Sequence, residues 1–370
     1  MTGCRACEKP LEFACRAAYS RAMTAGPPKE LRRGWTTGAC ATAALKAALI
    51  HLWGGEFPAD VGLVLPRGET PRFALARCNS GLDWAEVGII KDAGDDPDVT
   101  HGLEIITRVE PSDGGVVFRG GTGVGTVTKP GLPLAVGEPA INPKPREMMI
   151  GVIDDLAETY GRSGDVIVTV SIPGGAEVAQ KTWNPRLGIV GGLSVLGTTG
   201  VVRPFSCSAW IASIHRGVDV AVALNEPHVA GCTGATSEAV VQKLYDLPDH
   251  AMLDMGDFAG GMLKYLRGKP LEKITIGGGI GKLAKLAQGA RDLHSARSQV
   301  DFAVLDTWVQ PDVSGANTVL EAYEIAGPEL AQQIAERAGI AARGILGGRA
   351  KIDLVVIDRA GKILAQSQTK

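Results

Sequence analysis

The length of 370 residues predicts roughly two or three domains. A composition of 45% hydrophobic and 21% charged residues is typical of a globular protein with a substantial core. The net charge of -2 argues against general nucleic-acid binding, which normally requires a basic surface.

Residues 1–30 are predicted to be an N-terminal extension that ends in the loop Ala25-Gly-Pro-Pro28. Charged residues interrupt any signal-peptide segment, and no apolar run in the chain reaches the ~20 residues that span a membrane. Cys4, Cys7 and Cys15 lack a fourth ligand at a zinc-site spacing, so a frayed tail is favoured over a metal site. The odd number of cysteines, seven, indicates a reducing compartment, and we expect the cytoplasm.

Residues 31–183 are predicted to form an α+β domain with an antiparallel sheet. Thr36 or Thr37 caps a helix over residues 39–52, and Gly54-Gly55 ends it. Strand-like runs separated by short turns follow at residues 61–65, 73–77, 84–90, 103–109 and 116–119, which favours antiparallel pairing. Residues 120–142 form a long loop rich in Gly and Pro, and such loops are often functional. A helix is expected over residues 145–160.

Residues 184–370 are predicted to form a Rossmann-like α/β domain with a mostly parallel sheet. The pattern changes at the strand over residues 166–172, and the domain boundary is placed near Trp183-Asn-Pro185. Further strands are expected at residues 218–224, 271–276, 302–305 and 352–357, and helices over residues 236–245, 281–290 and 329–341. Alternating strands and helices indicate parallel pairing. The apolar, glycine-rich composition of this domain is compatible with a homodimer.

The acidic segment after the strand over residues 84–90 is the most informative local pattern. Asp92, Asp95, Asp96 and Asp98 crowd together ahead of His101. Like charges this close repel, so we expect a cation, helix N-termini or a substrate whose protons they handle to compensate them. The alternative is a solvated acidic turn, because Asp, Gly and Pro are ordinary turn residues. The segment alone leaves both interpretations open.

Two glycine-rich segments are candidate ligand loops. The strand over residues 271–276 runs into four glycines, which would let an adenosyl or nucleotide group approach the backbone. Their spacing matches neither a Walker A loop nor G-x-G-x-x-G, so a tight strand–helix turn is the alternative. In the second segment, Thr198 and Thr199 lie between glycines, and Arg203 beyond them could pair with a carboxylate or phosphate. An ordinary glycine turn explains that segment equally well.

Several of these segments resemble the cobalt-precorrin-5B C1-methyltransferase (CbiD) family of vitamin B12 biosynthesis. The matching stretches are residues 34–42, 91–102, 127–132, 137–143, 184–192, 196–200 and 280–286, in the family's order. The most specific is Lys91-Asp-Ala-Gly-Asp-Asp-Pro-Asp-Val-Thr-His-Gly102. The resemblance implies methyl transfer from S-adenosylmethionine to C1 of the ring-contracted corrinoid, giving cobalt-precorrin-6A. Cobalt would then arrive inside the substrate, without a metal site in the protein.

The resemblance supplies no catalytic residues, so the site roles are physical hypotheses. Methyl transfer from a sulfonium is an in-line displacement, in which alignment matters most. Carboxylates or an imidazole would remove a proton from the macrocycle or stabilise positive charge, so the predicted catalytic residues are Asp92, Asp95, Asp96 and His101. The carboxylate arms of the substrate require cationic and hydrogen-bonding partners. The predicted substrate-binding residues are Thr36, Thr37, Lys129, Lys144, Arg146, Thr198, Thr199 and Arg203, and the predicted cofactor-binding residues are Gly277, Gly278, Gly279 and Gly281.

Three alternatives stay open at this point. A phosphotransferase would use a Thr-Thr-Gly loop to cradle phosphate, with Asp95 and Asp96 holding magnesium, although the chain has no Walker lysine-serine pair. The same methylation on a metal-free precorrin is a second alternative. A non-catalytic corrinoid-binding protein of the pathway is the third, and it would bind tetrapyrrole without S-adenosylmethionine.

Overall fold

The computed structural model describes residues 31–369 and divides into two compact units, with the boundary between Ser206 and Cys207. The predicted extension over residues 1–30, with Cys4, Cys7 and Cys15, lies outside the described residues. The unit boundary falls later in the chain than the expected position at Trp183–Pro185. Residues 184–206 belong to the first unit because two of its strands pair there with strands from earlier in the chain.

The first unit contains eleven strands and three helices within its described residues. The strands are β1 (Gly34–Trp35), β2 (Asp60–Gly62), β3 (Arg72–Ala74), β4 (Arg77–Ser80), β5 (Ala85–Ile90), β6 (Glu104–Pro111), β7 (Val116–Gly120), β8 (Thr126–Val127), β9 (Val166–Ser171), β10 (Ile189–Val190) and β11 (Val201–Val202). The helices are α1 (Thr37–Gly54), α2 (Pro143–Tyr160) and α3 (Gly175–Ala179). The predicted helices over residues 39–52 and 145–160 are confirmed.

Helix α1 forms the centre of the first unit. Six of its eighteen residues are alanine and twelve of the eighteen are buried, so the helix backbone can approach its neighbours closely. Thr36 is the N-cap, where its side chain accepts a hydrogen bond from the Ala39 amide, and Gly55 ends the helix in the left-handed conformation. The helix packs on β5, β6 and α2. The buried hydroxyl of Thr107 on β6 fixes this packing by donating to the Ala41 carbonyl at 3.0 Å.

The main sheet of the first unit has the strand order β4-β5-β6-β9-β7. Its pairs are antiparallel except that β7 and β9 are parallel, so the antiparallel prediction misses one pair. The chain between these two strands passes through the Gly- and Pro-rich loop and helix α2. A connection of that length can return β9 to the same end of the sheet, which a tight hairpin cannot do.

The second unit alternates strands and helices around a five-stranded sheet. Its strands are β12 (His228–Cys232), β13 (Met252–Leu253), β14 (Lys273–Gly279), β15 (Lys351–Ile357) and β16 (Ile363–Thr369). Its helices are α4 (Cys207–Ala223), α5 (Ala235–Tyr245), α6 (Ala259–Leu266), α7 (Ile280–Ala287), α8 (Phe302–Asp306), α9 (Val319–Ala326) and α10 (Pro328–Leu346), with a 3-10 turn at Asp249–Ala251.

The sheet of the second unit has the order β13-β12-β14-β15-β16, parallel except for the antiparallel edge strand β16. Alternate residues of its central strands enter two separate apolar clusters. Ile352 and Leu354 join the larger cluster with α6, α7 and α10, whereas Val355 and Ile357 join a smaller cluster with α5. Helices therefore cover both faces, as a parallel sheet requires, and the mixed α/β class is confirmed.

Two predicted strands of the second unit are wrong. Residues 218–224 lie mostly in α4, where Ile214, Val218 and Ala221 are buried at helical spacing. Residues 302–305 lie in the short helix α8, whose N-cap Asp301 accepts a hydrogen bond from the Val304 amide. In both cases a short run of apolar residues is compatible with either a strand or a helix. The residues that precede each run favour the helix.

The glycines after residue 276 also differ from the prediction. Gly277, Gly278 and Gly279 are the last residues of β14 and pair with β15, and helix α7 begins directly after them at Ile280. No helix within residues 31–369 is long and apolar enough to cross a membrane.

We predict opposite effects on stability for two of these glycines. A Cβ at Gly277 would lie 2.6 Å from Val241 Cγ2 and 2.9 Å from Cys232 Sγ, whereas nothing lies within 4 Å of a Cβ at Gly281. Gly277→Ala should therefore lower the free energy of unfolding by about 1–3 kcal/mol. Gly281→Ala, in a helix, should leave it unchanged or raise it by up to about 1 kcal/mol. Urea unfolding of both variants measures this, and equal stabilities would contradict the packing around β14.

Candidate active site

Three segments of the first unit converge at the start of helix α1: residues 32–38, 91–101 and 196–205. Strand β1 pairs with β11, and the Trp35 amide donates to the Asp92 carbonyl at 2.7 Å. The Asp95 amide donates to the Arg32 carbonyl at 2.9 Å. Residues 32–38 and 196–205, which are far apart in sequence, are thereby held against residues 91–101, the acidic loop.

Close backbone approach at this junction requires glycine. A Cβ at Gly34 would lie 2.0 Å from the Ala93 carbonyl carbon. Gly94 has a φ of +69°, in the left-handed region, and a Cβ there would lie 2.2 Å from the Arg32 carbonyl oxygen. The backbones of the acidic loop and β1 therefore pack directly against each other, with no space for a side chain at either glycine.

The two Thr-Thr-Gly stretches meet in this cluster, although their sequence similarity alone did not predict it. The Thr37 hydroxyl accepts from the Leu196 amide at 3.0 Å, and the Thr36 amide donates to the Gly200 carbonyl at 2.9 Å. Thr36 and Thr37 are 7% and 3% exposed. Thr199 bonds the backbone of Val201, and Thr198 is exposed. Because three of the four hydroxyls already bind protein atoms, this arrangement disfavours a phosphate cradle.

A buried ion pair fixes the base of the acidic loop. Lys91 follows β5 directly, is 2% exposed, and its Nζ lies 2.6 Å from Asp98 Oδ2. The Thr100 amide and hydroxyl both donate to Asp98 Oδ1. Burial alone would raise the pKa of Asp98, but the charge and hydrogen bond of Lys91, together with the hydrogen bonds from Thr100, outweigh it and lower that pKa. Asp98 is therefore a structural anion.

Asp92 is compensated from outside the loop. The Arg32 guanidinium donates to both carboxylate oxygens of Asp92, and the Gly94 amide donates to Oδ1 at 2.9 Å. The hydrogen bonds from Arg32 lower the pKa of Asp92 to about 2. The His101 ring accepts from the Ala93 amide at 3.1 Å, and its Nδ1 lies 3.8 Å from Asp92 Oδ1.

Asp96, like Asp95, forms no ion pair with any described residue, but unlike Asp95 it is partly buried. One oxygen accepts from the Phe205 amide at 2.9 Å. Burial raises the pKa of Asp96, and this effect exceeds the opposing effect of that hydrogen bond, while the nearby Asp98 charge raises the pKa further. Asp95 is exposed and accepts from the Arg32 amide at 2.8 Å. The raised pKa makes Asp96 a candidate proton acceptor.

A cavity of about 260 Å³ opens beside the acidic loop. Trp35, Phe73 and Ile89 form apolar walls, and the first two rings pack edge to face with centroids 5.9 Å apart. Arg72 and Asp92 are its charged lining residues. The cavity therefore combines apolar side chains with polar surface that is charged at two points.

Comparisons with known proteins identify the family of the chain. The family model described as CbiD matches residues 24–204, and the model described as CbiD, C-terminal domain, matches residues 292–368. The chain belongs to the CbiD family. A curated relative from Brucella anthropi, a cobalt-precorrin-5B C(1)-methyltransferase, is 57% identical over 354 residues, which cover 91% of this chain and 96% of that protein. A relative of the same name from Brucella canis is 55% identical with the same coverage.

A solved structure is also similar to this CbiD-family chain. It is a 1.9 Å crystal structure of the cobalamin biosynthesis protein CbiD from Archaeoglobus fulgidus. The sequences are 28% identical, the match covers 77% of this chain and 89% of the other, and the TM-score is 0.41.

The predicted basic residues of this CbiD member have different surroundings. The Arg146 guanidinium donates to the Ile141 carbonyl at 2.8 Å and to Glu138 at 3.0 Å, so it braces the Gly- and Pro-rich loop. Lys144 is exposed and pairs with Glu147. Lys129 packs against the backbone of Gly188, and Arg203 is exposed. Arg203 is the one that lies within a converging segment, and substrate binding by these four residues stays a prediction.

The predicted cofactor glycines lie in the second unit of this CbiD member and fall into two pairs. Gly277 and Gly278 are packed against side chains, Val241 and Thr233 respectively. Gly279 and Gly281, at the N-terminus of α7, have nothing within 4 Å of a Cβ position. The second pair therefore leaves open backbone that a ligand can approach.

Sequence reasoning missed several residues that build the CbiD site, namely Arg32, Lys91, Trp35 and the amide of Phe205. Lys91 carried a signal, because it directly precedes the aspartates at the end of a strand. No sequence signal indicated Arg32 or Phe205, since each contacts the loop only through tertiary structure. Cys40 and Cys232 are fully buried, as expected of small apolar residues, and burial raises the pKa of Cys40 to about 12.

We predict that two neighbouring aspartates of the CbiD loop affect stability in opposite directions. Asp98→Asn leaves the Lys91 charge buried without its partner and should lower the free energy of unfolding by about 3 kcal/mol at pH 7. Asp96→Asn keeps an acceptor for the Phe205 amide and removes a carboxylate whose folded-state pKa is raised. It should therefore be at least as stable as the natural chain.

The pH dependence distinguishes these two variants. A raised native pKa means that Asp96 favours folding below its unfolded pKa of about 3.9, and that this contribution is lost as pH rises through the native value. The stability gain of Asp96→Asn should therefore be present at pH 7 and absent near pH 4. Denaturant unfolding at both pH values measures it, and a destabilised Asp96→Asn would refute the assignment.

Proposed function

We propose that this chain methylates cobalt-precorrin-5B at C1 to give cobalt-precorrin-6A in cobalamin biosynthesis, with S-adenosylmethionine as methyl donor. The family assignment and the names of the relatives support the reaction. The observation that carries the site is the acidic loop, where two of the four aspartates are neutralised by Arg32 and Lys91 and Asp96 is left protonatable.

The proposed chemistry needs one proton acceptor and precise alignment. S-adenosylmethionine supplies a methyl carbon made electrophilic by its sulfonium. As the ring carbon bonds to this methyl group, the methyl–sulfur bond breaks and S-adenosylhomocysteine leaves with the electron pair. The macrocycle then loses a proton elsewhere. Asp96 is the proposed acceptor, because burial shifts its pKa toward the working pH, where general bases are most effective. Asp92, Asp95 and His101 stay candidates for stabilising positive charge around it.

We further propose that the second unit is a Rossmann-like α/β domain and that the donor binds at the carboxyl edge of its sheet. The chain runs from β12 outward to β13, then returns to β14 on the other side of β12. Such a switch of direction creates a crevice at the carboxyl ends of the strands, where ligands of α/β sheets bind. Gly234 precedes α5 and Gly279 precedes α7 at this edge. The open backbone at Gly279 and Gly281 fits an adenosyl group.

The decisive experiment is an anaerobic incubation of the protein with cobalt-precorrin-5B and S-adenosylmethionine, followed by mass spectrometry of the corrinoid. A gain of one methyl group that requires the protein supports the proposal. Binding of the tetrapyrrole without methylation would favour the carrier alternative, and methylation of only the cobalt-free precorrin would change the substrate. If methylation requires added S-adenosylmethionine, that compound is the donor.

Asp96→Asn should reduce the rate of methylation at least about a hundredfold, the size of a lost general base, because an amide cannot accept the proton. Asp95→Asn is the matched control at an exposed position of the same loop, and it should reduce the rate of methylation less. Single-turnover rates measure both. Full turnover by Asp96→Asn would remove Asp96 as the base.

Gly279→Val should weaken binding of S-adenosylmethionine without unfolding the chain. The backbone φ of Gly279 is -64°, which valine can adopt, and its side chain would occupy the open face at α7. Calorimetric titration with S-adenosylmethionine measures this. Unchanged affinity would move the proposed donor site away from α7.

A further inference from the structure

The cavity beside the acidic loop has the properties of a binding site for part of a larger ligand. Its walls come from the core of the first unit, since Phe73 and Ile89 are 5% and 2% exposed. A volume of about 260 Å³ is below the ~300–1,000 Å³ of pockets that enclose a whole small ligand. The cavity therefore accepts one ring and its substituents, and the rest of a macrocycle would stay outside.

The spare hydrogen-bond donors at the cavity favour a carboxylate. Asp92 is already neutralised by both hydrogen bonds from Arg32, so it repels an incoming anion only weakly. Arg72 is oriented by Asp60, which accepts from its Nε and Nη2. No described residue accepts a hydrogen bond from Arg72 Nη1. An oriented guanidinium with donors to spare is well suited to receive a second carboxylate.

We propose that this cavity receives one pyrroline ring of the tetrapyrrole substrate, with the apolar face of the ring on Trp35 and Phe73 and a carboxylate arm on Arg72. This inference rests on the proposed function and adds a specificity site to it. Asp92 lines the cavity and belongs to the same loop as Asp96. A ring bound there would contact the loop that carries the proposed proton acceptor, and Arg72 would fix the orientation of the ring.

Two corrinoid probes separate the contributions of charge and shape. Cobyrinic acid carries free carboxylate arms, whereas its heptamethyl ester has the same ring without the charges. Arg72→Gln should weaken binding of the acid about tenfold, as expected when one charge-assisted contact is lost, and leave binding of the ester unchanged. Ala76→Trp places a large side chain at an exposed position in the cavity lining and should weaken binding of both probes.

Arg77→Gln is the matched control. Arg77 lies on the next strand, carries the same charge, and pairs with Glu104 through two hydrogen bonds as Arg72 does with Asp60. It does not line the cavity, so its loss should leave binding of both probes unchanged. Absorbance titration of the corrinoid measures all variants, and thermal unfolding confirms that each is folded.

The outcomes separate this inference from the proposed function. Unchanged affinity for cobyrinic acid in Arg72→Gln and Ala76→Trp, with methylation by the natural chain intact, overturns the cavity and leaves the function standing. Lost affinity for S-adenosylmethionine in these variants would assign the cavity to the donor and overturn the inference. Failure of the natural chain to bind either probe also overturns it, whereas failure to methylate cobalt-precorrin-5B refutes the proposed function itself.

Discussion

The ion pair between Lys91 and Asp98 is the constraint on which the candidate site depends. A lysine that is 2% exposed is costly unless an anion lies next to it, and Asp98 meets that requirement at 2.6 Å. The backbone of Lys91 also closes the acidic loop, since its amide donates to the Leu103 carbonyl and its carbonyl accepts from the Gly102 amide. The loop is thus fixed at its base, and the remaining carboxylates keep defined positions.

The four aspartates of this loop have separate roles because each has a different environment. Asp98 is structural, Asp92 is held ionised by Arg32, and Asp95 faces solvent while accepting from a backbone amide. Among residues 31–369, Asp96 has the Phe205 amide as its one hydrogen-bond donor, and its partial burial raises its pKa. One short segment therefore combines anchoring, charge compensation and a protonatable group, which agrees with a site that handles protons on a bound macrocycle.

Much of the fold was predictable where a segment had a strong period or a clear cap. Thr36 and Gly55 bound helix α1 as the sequence indicates, and the strands β5, β6 and β9 lie within a few residues of their predicted positions. Short apolar runs were ambiguous, so residues 218–224 and 302–305 are helical rather than extended. The parallel pairing of β7 with β9 depends on where a long connection returns, which local sequence does not encode.

By itself the sequence determined the family resemblance, the mixed α/β composition and the presence of a crowded acidic loop after a strand. Those features are local, because they depend on residue order, caps and turn chemistry. Only the tertiary structure decided which carboxylate is compensated. Arg32 and Phe205 lie 60 and 109 positions from the aspartates that they contact, and burial, which sets the direction of each pKa shift, arises only when those segments pack together.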